Sequence, residues 1–106
     1  MRWISTGCLL ANASLIGINI IKVEDIYVII NKLNAKFRSL GYDAIIEPDT
    51  YYALDTYPDI FRRCEGKIYI VRRLSYKYVS RVFNGRLDAR IVKLIRDTLK
   101  GMRNSE

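Results

Sequence analysis

Residues 23–40 read VEDIYVIINKLNAKFRSL, and this stretch carries the clearest structural signal in the chain. Its apolar residues recur at steps of three and four, which places them on one face of an α-helix: Ile26, Ile30, Leu33, Phe37 and Leu40. Gly41 follows directly, and glycine is a common helix stop because it adopts a left-handed backbone without strain. The pattern predicts one long amphipathic helix that continues to Leu40.

Shorter segments on both sides of this helix predict strands, turns and two more helices. Apolar and β-branched residues favour strands over residues 2–4, 15–22, 43–47 and 67–73. Residues 48–59 are rich in turn formers and leave room for one short strand. Ser75 and Asp88 each precede a helical pattern, over residues 76–83 and 89–102, and both residue types favour N-cap positions.

These elements predict an α+β fold, in which a small β-sheet has the long helix packed on it and two C-terminal helices follow. A chain of 106 residues that is 50% hydrophobic is expected to form a single domain with a real core. Within that domain we distinguish residues 1–61, a near-neutral α/β half, from residues 62–106, a basic half.

Charge is distributed very unevenly between the two halves. Residues 62–106 hold 13 Lys and Arg against 4 Asp and Glu, a balance of +9, whereas residues 1–61 hold 5 against 7, a balance of −2. Concentrated positive charge favours a polyanionic partner, because each cation that meets a phosphate releases a condensed counterion. The charge pattern therefore predicts nucleic-acid binding by the C-terminal half.

Several kinds of chemistry are excluded by the residues that the sequence lacks. It contains no histidine, which rules out Ser-His-Asp and Cys-His catalysis and histidine-ligated zinc. Cys8 and Cys64 are too far apart for a zinc or redox motif. Two buried thiols are expected, with one disulfide as the alternative. We therefore predict no catalytic residue, no metal ligand and no cofactor.

The candidate nucleic-acid-binding residues are cations and polar residues of the C-terminal helices and of the segment before them. Cations recur at steps of three or four on the last helix, interrupted by Asp97. The full candidate set is Arg72, Arg73, Tyr76, Lys77, Ser80, Arg81, Arg86, Arg90, Lys93 and Lys100. Tyrosines between cations can stack on unpaired bases. The alternative for the stripe is an ordinary solvated helix face.

Residues 75–85, SYKYVSRVFNG, resemble the recognition-helix segment of phage-repressor-like helix-turn-helix regulators. The matching positions are the capping Ser75, the Val-Ser-Arg core at residues 79–81 and the closing Asn84-Gly85. The resemblance implies that Val79, Val82 and Phe83 face the core, while Tyr76, Lys77, Ser80 and Arg81 face a DNA groove or its phosphates. It also places the first helix of the motif at residues 67–72, a segment with strand propensity.

The middle of the chain resembles a degenerate core of the restriction-endonuclease-like fold, as in archaeal Holliday-junction resolvases and tRNA-splicing endonucleases. The resemblance rests on Pro58-Asp59-Ile60 and the apolar run at residues 68–71. That family holds Mg²⁺ with an Asp and a Glu-x-Lys motif. The Glu and Lys positions fall on Arg72 and Leu74, so the resemblance implies an inactive relative. A shifted alternative uses Asp59, Glu65 and Lys67.

The sequence thus leaves three functions open, of which non-catalytic nucleic-acid binding is preferred. The alternatives are a nuclease or its inactive structural subunit, and a structural subunit whose basic face meets an acidic protein. We expect a cytoplasmic protein that does not enter a membrane, since residues 8–21 are apolar but interrupted by Asn12, Gly17 and Asn19. A homodimer or larger complex is left open. High Ile, Tyr, Lys and Arg content is typical of heat-adapted organisms.

Overall fold

A computed structural model describes residues 1–104 of the chain. Within these residues the strands are β1 (Arg2–Ile4), β2 (Ile20–Lys22), β3 (Ala44–Ile46), β4 (Phe61–Cys64) and β5 (Lys67–Ile70). The α-helices are α1 (Thr6–Leu15), α2 (Val23–Ser39), α3 (Thr50–Thr56), α4 (Tyr76–Val79) and α5 (Ala89–Asn104). A π-helical segment, Ser80–Asn84, continues α4. The predicted α+β class is confirmed, with its long helix and its two C-terminal helices.

Helix α1 is the buried centre of the molecule. Every residue from Thr6 to Ala13 is buried, and the helix contacts α3, α4, the π-helical segment, α5 and β5. Its N-terminus is capped by Ser5, whose hydroxyl accepts a hydrogen bond from the Cys8 N–H at 3.2 Å. A helix enclosed on all sides has no polar face and hence no amphipathic period. Of the strand predicted at residues 15–22, Leu15 instead ends α1 and only Ile20–Lys22 form a strand, β2.

Helix α2 confirms the long helix predicted from its apolar period. Ile26, Ile29, Ile30, Leu33 and Phe37 are buried along one face, and Gly41 has the left-handed φ of +74° expected at a helix stop. Leu40 was predicted on the buried face but is 56% exposed. Leu40 is the C-cap of the helix, and its N–H still donates to the Lys36 carbonyl at 3.0 Å. It keeps the helical backbone but lies past Phe37, the last buried residue of that face.

The strands form two small sheets rather than the single sheet predicted. β1 pairs in parallel with β3, and Trp3 lies opposite Ile45. β5 lies between β2 and β4, and both of its pairings are antiparallel. Helix α2 contacts β2 and β3, one strand from each sheet. The long helix thus connects the two sheets instead of covering one.

The turn-rich segment at residues 48–59 contains helix α3 rather than a short strand. Asp49 caps this helix, because its side chain accepts a hydrogen bond from the Tyr52 N–H at 2.9 Å. Asp favours helix N-caps as well as turns, so its presence did not distinguish the two outcomes. Ala53 and Thr50 are the buried residues of the helix, and α3 packs on α1 and β4.

The C-terminal helices begin at the predicted caps but depart from a regular α-helix. Ser75 accepts a hydrogen bond from the Tyr78 N–H at 3.0 Å, and Asp88 accepts one from the Arg90 N–H at 2.8 Å. The Gly85 N–H donates to the Ser80 carbonyl at 3.0 Å, five residues back, as in a π-helix. The wider turn directs Asn84 inward, whereas Val82, predicted to face the core, is 39% exposed.

One cluster of buried side chains takes residues from both charge halves. It includes Ile4 and Leu33 from the near-neutral half and Ile70, Val79 and Ile95 from the basic half. The radius of gyration is 12.7 Å, close to the ~13 Å of a compact chain of about 100 residues. The boundary near residue 61 is therefore a boundary of charge and not of packing.

None of the helices within residues 1–104 has the length and apolar content to cross a membrane.

Asn34 completes the edge of β3 that β1 does not cover. Its side-chain oxygen accepts a hydrogen bond from the Ile46 N–H at 2.8 Å, and its side-chain nitrogen donates to the Ile46 carbonyl at 3.1 Å. Ile46 is fully buried, so its backbone groups cannot readily bond to water instead. The amide of Asn34 thus takes the place of a neighbouring strand.

Replacing Asn34 with Ala should lower the free energy of unfolding by about 1–3 kcal/mol, because buried backbone groups lose their partners. Urea unfolding followed by circular dichroism measures this change. Asn31→Ala is the matched control, because it removes the same side chain from an exposed position of the same helix. Its effect should be about 0.5 kcal/mol or less. Equal effects in both variants would contradict a structural role for Asn34.

Candidate nucleic-acid interface

Four of the predicted cations line one groove at the start of α4. Arg72, Arg73, Lys77 and Arg81 surround a depression of about 320 Å³ that Leu74, Ser75 and Tyr78 complete. We call it the Arg72 groove. Its lining contains cations but no carboxylate. Such a surface attracts phosphate groups more strongly than an isolated cation would.

Arg72 is the member of this groove that already has partners. Its guanidinium lies 3.3 Å from the Asp59 carboxylate and 5.3 Å from the centre of the Tyr78 ring. Arg73, Lys77 and Arg81 are exposed and form no ion pair within residues 1–104. These three side chains are therefore free to meet an anionic ligand, whereas Arg72 would have to exchange an exposed ion pair of small net free energy.

A second groove lies on the other side of α4, between the π-helical segment and α5. It has a volume of about 400 Å³, and we call it the Tyr76 groove. Its polar lining comprises Tyr76, Ser80, Asn84, Lys93, Arg96 and Lys100, together with Asp97. Lys93 Nζ lies 2.9 Å from the Asp97 carboxylate. Hydrogen bonding and charge from Lys93 lower the pKa of Asp97, which keeps that carboxylate ionised.

A network of buried polar groups fixes the floor of the Tyr76 groove. The Asn12 side-chain nitrogen donates to the Cys8 carbonyl and to Asn84 Oδ1, each at 2.8 Å. The Asn12 side-chain oxygen accepts a hydrogen bond from Arg96 Nε at 3.0 Å. Asn12 is completely buried and Asn84 nearly so. The amide of Asn12 thereby ties α1 to both walls of the groove.

Arg96 carries a charge into this network without an ion pair. Among residues 1–104 its Nη2 is the buried side-chain nitrogen or oxygen that lacks a hydrogen-bond partner. Its guanidinium lies instead beneath the ring of Tyr76, at 4.9 Å from the ring centre. A cation over an aromatic face is stabilised electrostatically. The nearby Arg96 guanidinium lowers the pKa of the Tyr76 hydroxyl.

The remaining predicted cations, Arg86 and Arg90, line neither groove. Arg90 forms an ion pair with Asp88 at 2.7 Å and lies 5.6 Å from the centre of the Tyr42 ring. Its hydrogen bonds lower the pKa of Asp88 to about 2. The Arg86 carbonyl accepts a hydrogen bond from Arg2 at 3.4 Å. The predicted stripe of cations on the last helix is thus divided between different surroundings.

Arg96, Asn12 and Asn84 were missed as parts of the candidate site. Arg96 lies off the cation stripe that helical spacing selects, and Asn84 had been assigned to a helix end. Asn12 was noted only as an interruption of an apolar run. An amide within such a run is a usable signal, because a buried amide must find hydrogen-bond partners. The partners themselves come from distant parts of the chain.

The two cysteines are free and differ in exposure. Cys8 is buried and donates to Asn84 Oδ1 at 3.5 Å, and its burial raises its pKa to about 12. Cys64 is exposed, so the prediction of two buried thiols is wrong for this residue. Cys64 ends β4, an edge strand, next to the turn at Glu65 and Gly66, where no neighbouring element within residues 1–104 covers it.

The acidic residues singled out for a nuclease do not converge. Asp59 precedes β4 and contacts Arg72, whereas Glu65 lies in the turn between β4 and β5 with a φ of +51°. Ile60 and the four residues of β4 separate them, and the strand alone spans roughly 13 Å. No group of three or more acidic, cysteine or histidine side chains able to hold a metal occurs in the described part of the chain.

The resemblance to helix-turn-helix regulators places its first helix where the structure has strand β5. The other matching positions lie on α4 and the π-helical segment. No protein-family model, no curated protein and no solved structure matches this chain.

Thiol titration tests the burial of Cys8, which belongs to the buried network. One thiol, Cys64, should react rapidly with an aromatic disulfide reagent at pH 8, while Cys8 should react only on unfolding, because it is buried and its pKa is about 12. Cys64→Ser is the control and should remove the fast phase completely. Two fast thiols in the folded wild-type protein would contradict the packing around Cys8 and Asn84.

Proposed function

We propose that this protein binds nucleic acid without catalysis, as a small regulator or as an accessory subunit of a nucleic-acid-processing complex. The observation that carries the proposal is the Arg72 groove, where four cations line one concave surface without a carboxylate among them. The Tyr76 groove on the other side of α4 adds Lys93, Arg96 and Lys100. Two cationic grooves that flank one short helix suit a flexible polyanion that passes across it.

The distribution of charge supports the same proposal on a larger scale. The basic half of the chain has a balance of +9. Every residue that lines either groove belongs to that half. A protein whose positive charge is concentrated in this way is drawn towards phosphate backbones before any specific contact forms. The location that we propose for this activity is the cytoplasm.

Duplex recognition by α4, as in helix-turn-helix regulators, stays a prediction. Helix α4 is four residues long, and the π-helical segment follows it directly. Tyr76, Lys77 and Arg81 are exposed and would be the residues that meet DNA in that arrangement.

A homodimer, in which the acidic residues of one copy dock on the basic half of another, also stays a prediction.

The nuclease alternative has weaker support in the geometry. Asp59 contacts Arg72, and the position that would carry the catalytic lysine is Leu74, which is buried. The separation of Asp59 from Glu65 along β4 is too long for both to bind one metal ion directly. We therefore retain a structural, non-cleaving role within a processing complex as part of the proposal.

Removing the unpaired cations of the Arg72 groove should weaken binding and its dependence on salt. For Arg73→Ala, Lys77→Ala and Arg81→Ala combined, the slope of log K against log salt should fall by about 2 on a single strand, at ~0.7 per phosphate contact. Fluorescence anisotropy with labelled oligonucleotides across a salt series measures the slope. The control is Lys22→Ala, Lys32→Ala and Arg38→Ala combined, which removes the same charge from exposed positions outside both grooves.

Equal changes of slope in the two triple variants would show that net charge alone governs binding, and would contradict a binding role for the Arg72 groove.

The same oligonucleotides, incubated with Mg²⁺ or Mn²⁺, should stay intact. Metal-dependent cleavage that disappears in Asp59→Asn would overturn the non-catalytic proposal in favour of the nuclease.

A further inference from the structure

Tyr76 differs from the other tyrosines of the basic half in its exposure. It is 64% exposed, whereas Tyr69 and Tyr78 are half-buried, one in the central strand of a sheet and the other against Phe83 and Arg72. A largely exposed aromatic ring gains little from burial on folding. Its placement at the rim of a cationic groove therefore calls for a ligand rather than for a packing explanation.

The ring of Tyr76 contacts a guanidinium, while most of the residue remains exposed. The Arg96 guanidinium lies 4.9 Å from the ring centre, which is the shortest such distance within residues 1–104. The 64% exposure of the residue leaves ring surface that the guanidinium does not cover. A flat aromatic surface with one free face is the geometry that a nucleobase needs for stacking.

The support beneath Tyr76 is held in place from the core. Arg96 Nε donates to Asn12 Oδ1 at 3.0 Å, and Asn12 is itself bonded to Cys8 and Asn84. The guanidinium is thereby fixed before any ligand arrives. A preorganised contact of this kind avoids part of the entropy that a mobile side chain loses on binding. The π-helical segment supplies Asn84, and such segments are frequent at functional sites.

Cations lie on both sides of the ring at positions suited to a sugar–phosphate backbone. Tyr76 and Ser80 border the Tyr76 groove with Lys93 and Lys100. Lys77, the next residue after Tyr76, lies about 100° further around the helix and belongs to the Arg72 groove. A strand whose base covers Tyr76 would therefore have cations available to its phosphates on either side.

We propose that Tyr76 is a stacking platform for an unpaired base, so that the ligand of this surface is single-stranded nucleic acid. This inference rests on the proposed nucleic-acid binding and narrows it to one class of ligand. Inside a duplex both faces of each base are stacked on neighbouring pairs, so an intact duplex offers a free base face only at its two ends. Duplex that binds does so through its phosphates.

The test compares a deoxythymidine oligomer of about 12 nucleotides with an abasic strand of equal length and with a duplex. Tyr76→Leu should weaken binding of the deoxythymidine oligomer by about 5- to 150-fold, the effect of losing one stacked base. It should leave the affinity for the abasic strand and the salt slope unchanged. Tyr76→Phe keeps the ring and should bind the oligomer within about threefold of wild type.

Tyr51→Leu is the matched control, because Tyr51 is also 64% exposed and also lies over an arginine, Arg63, at 5.8 Å. It lines neither groove, so its replacement should leave binding unchanged. If wild type binds the oligomer with a normal salt slope and Tyr76→Leu binds equally well, the stacking inference falls while the proposed function stands. An equal loss on the abasic strand also overturns the inference. Failure of wild type to bind any of the three ligands overturns the proposed function itself.

Discussion

The buried side-chain amide of Asn12 is the contact on which the arrangement of the C-terminal helices depends. It lies in α1, the helix that the rest of the fold encloses, and it bonds to Asn84 and to Arg96. A buried polar group left without partners costs more than a hydrogen bond normally contributes. Alternative packings of α5 against α1 would separate these groups and incur that cost. The apolar core provides most of the stability, while the amide selects one orientation of the helices.

The same contact relates the core to the proposed interface. Arg96 is held at one end by Asn12 and covered on its face by Tyr76. Its charge has no carboxylate partner within residues 1–104, so it adds to the positive potential of the Tyr76 groove rather than being neutralised. The exposed cations that share this groove, Lys93 and Lys100, provide attraction but little geometry. The network adds geometry to a surface that charge alone would leave nonspecific.

The sequence predicted those elements whose signals are local. The long helix followed from its apolar period, and the ends of helices followed from Gly41, Ser75 and Asp88. Helix α1 was missed because burial on every side removes the period, and α3 was missed because a capping Asp looks like a turn. The predicted burial of Val82 was wrong because the π-helical turn is decided by the inward bonding of Asn84. The cations of the Arg72 groove were selected by charge, whereas Arg96 depends on partners 84 residues away.

Hydrogen exchange at the Arg96 Nε–H, followed by NMR, tests the central claim most directly. The proton donates to a fully buried acceptor, so it should exchange at least about tenfold more slowly than the Nε–H of exposed Arg73, because exchange requires a local opening that costs free energy. The Asn12 side-chain protons should be protected in the same way. Exchange of Arg96 as fast as that of Arg73 would contradict the network, and with it the account of how α1 positions the binding surface.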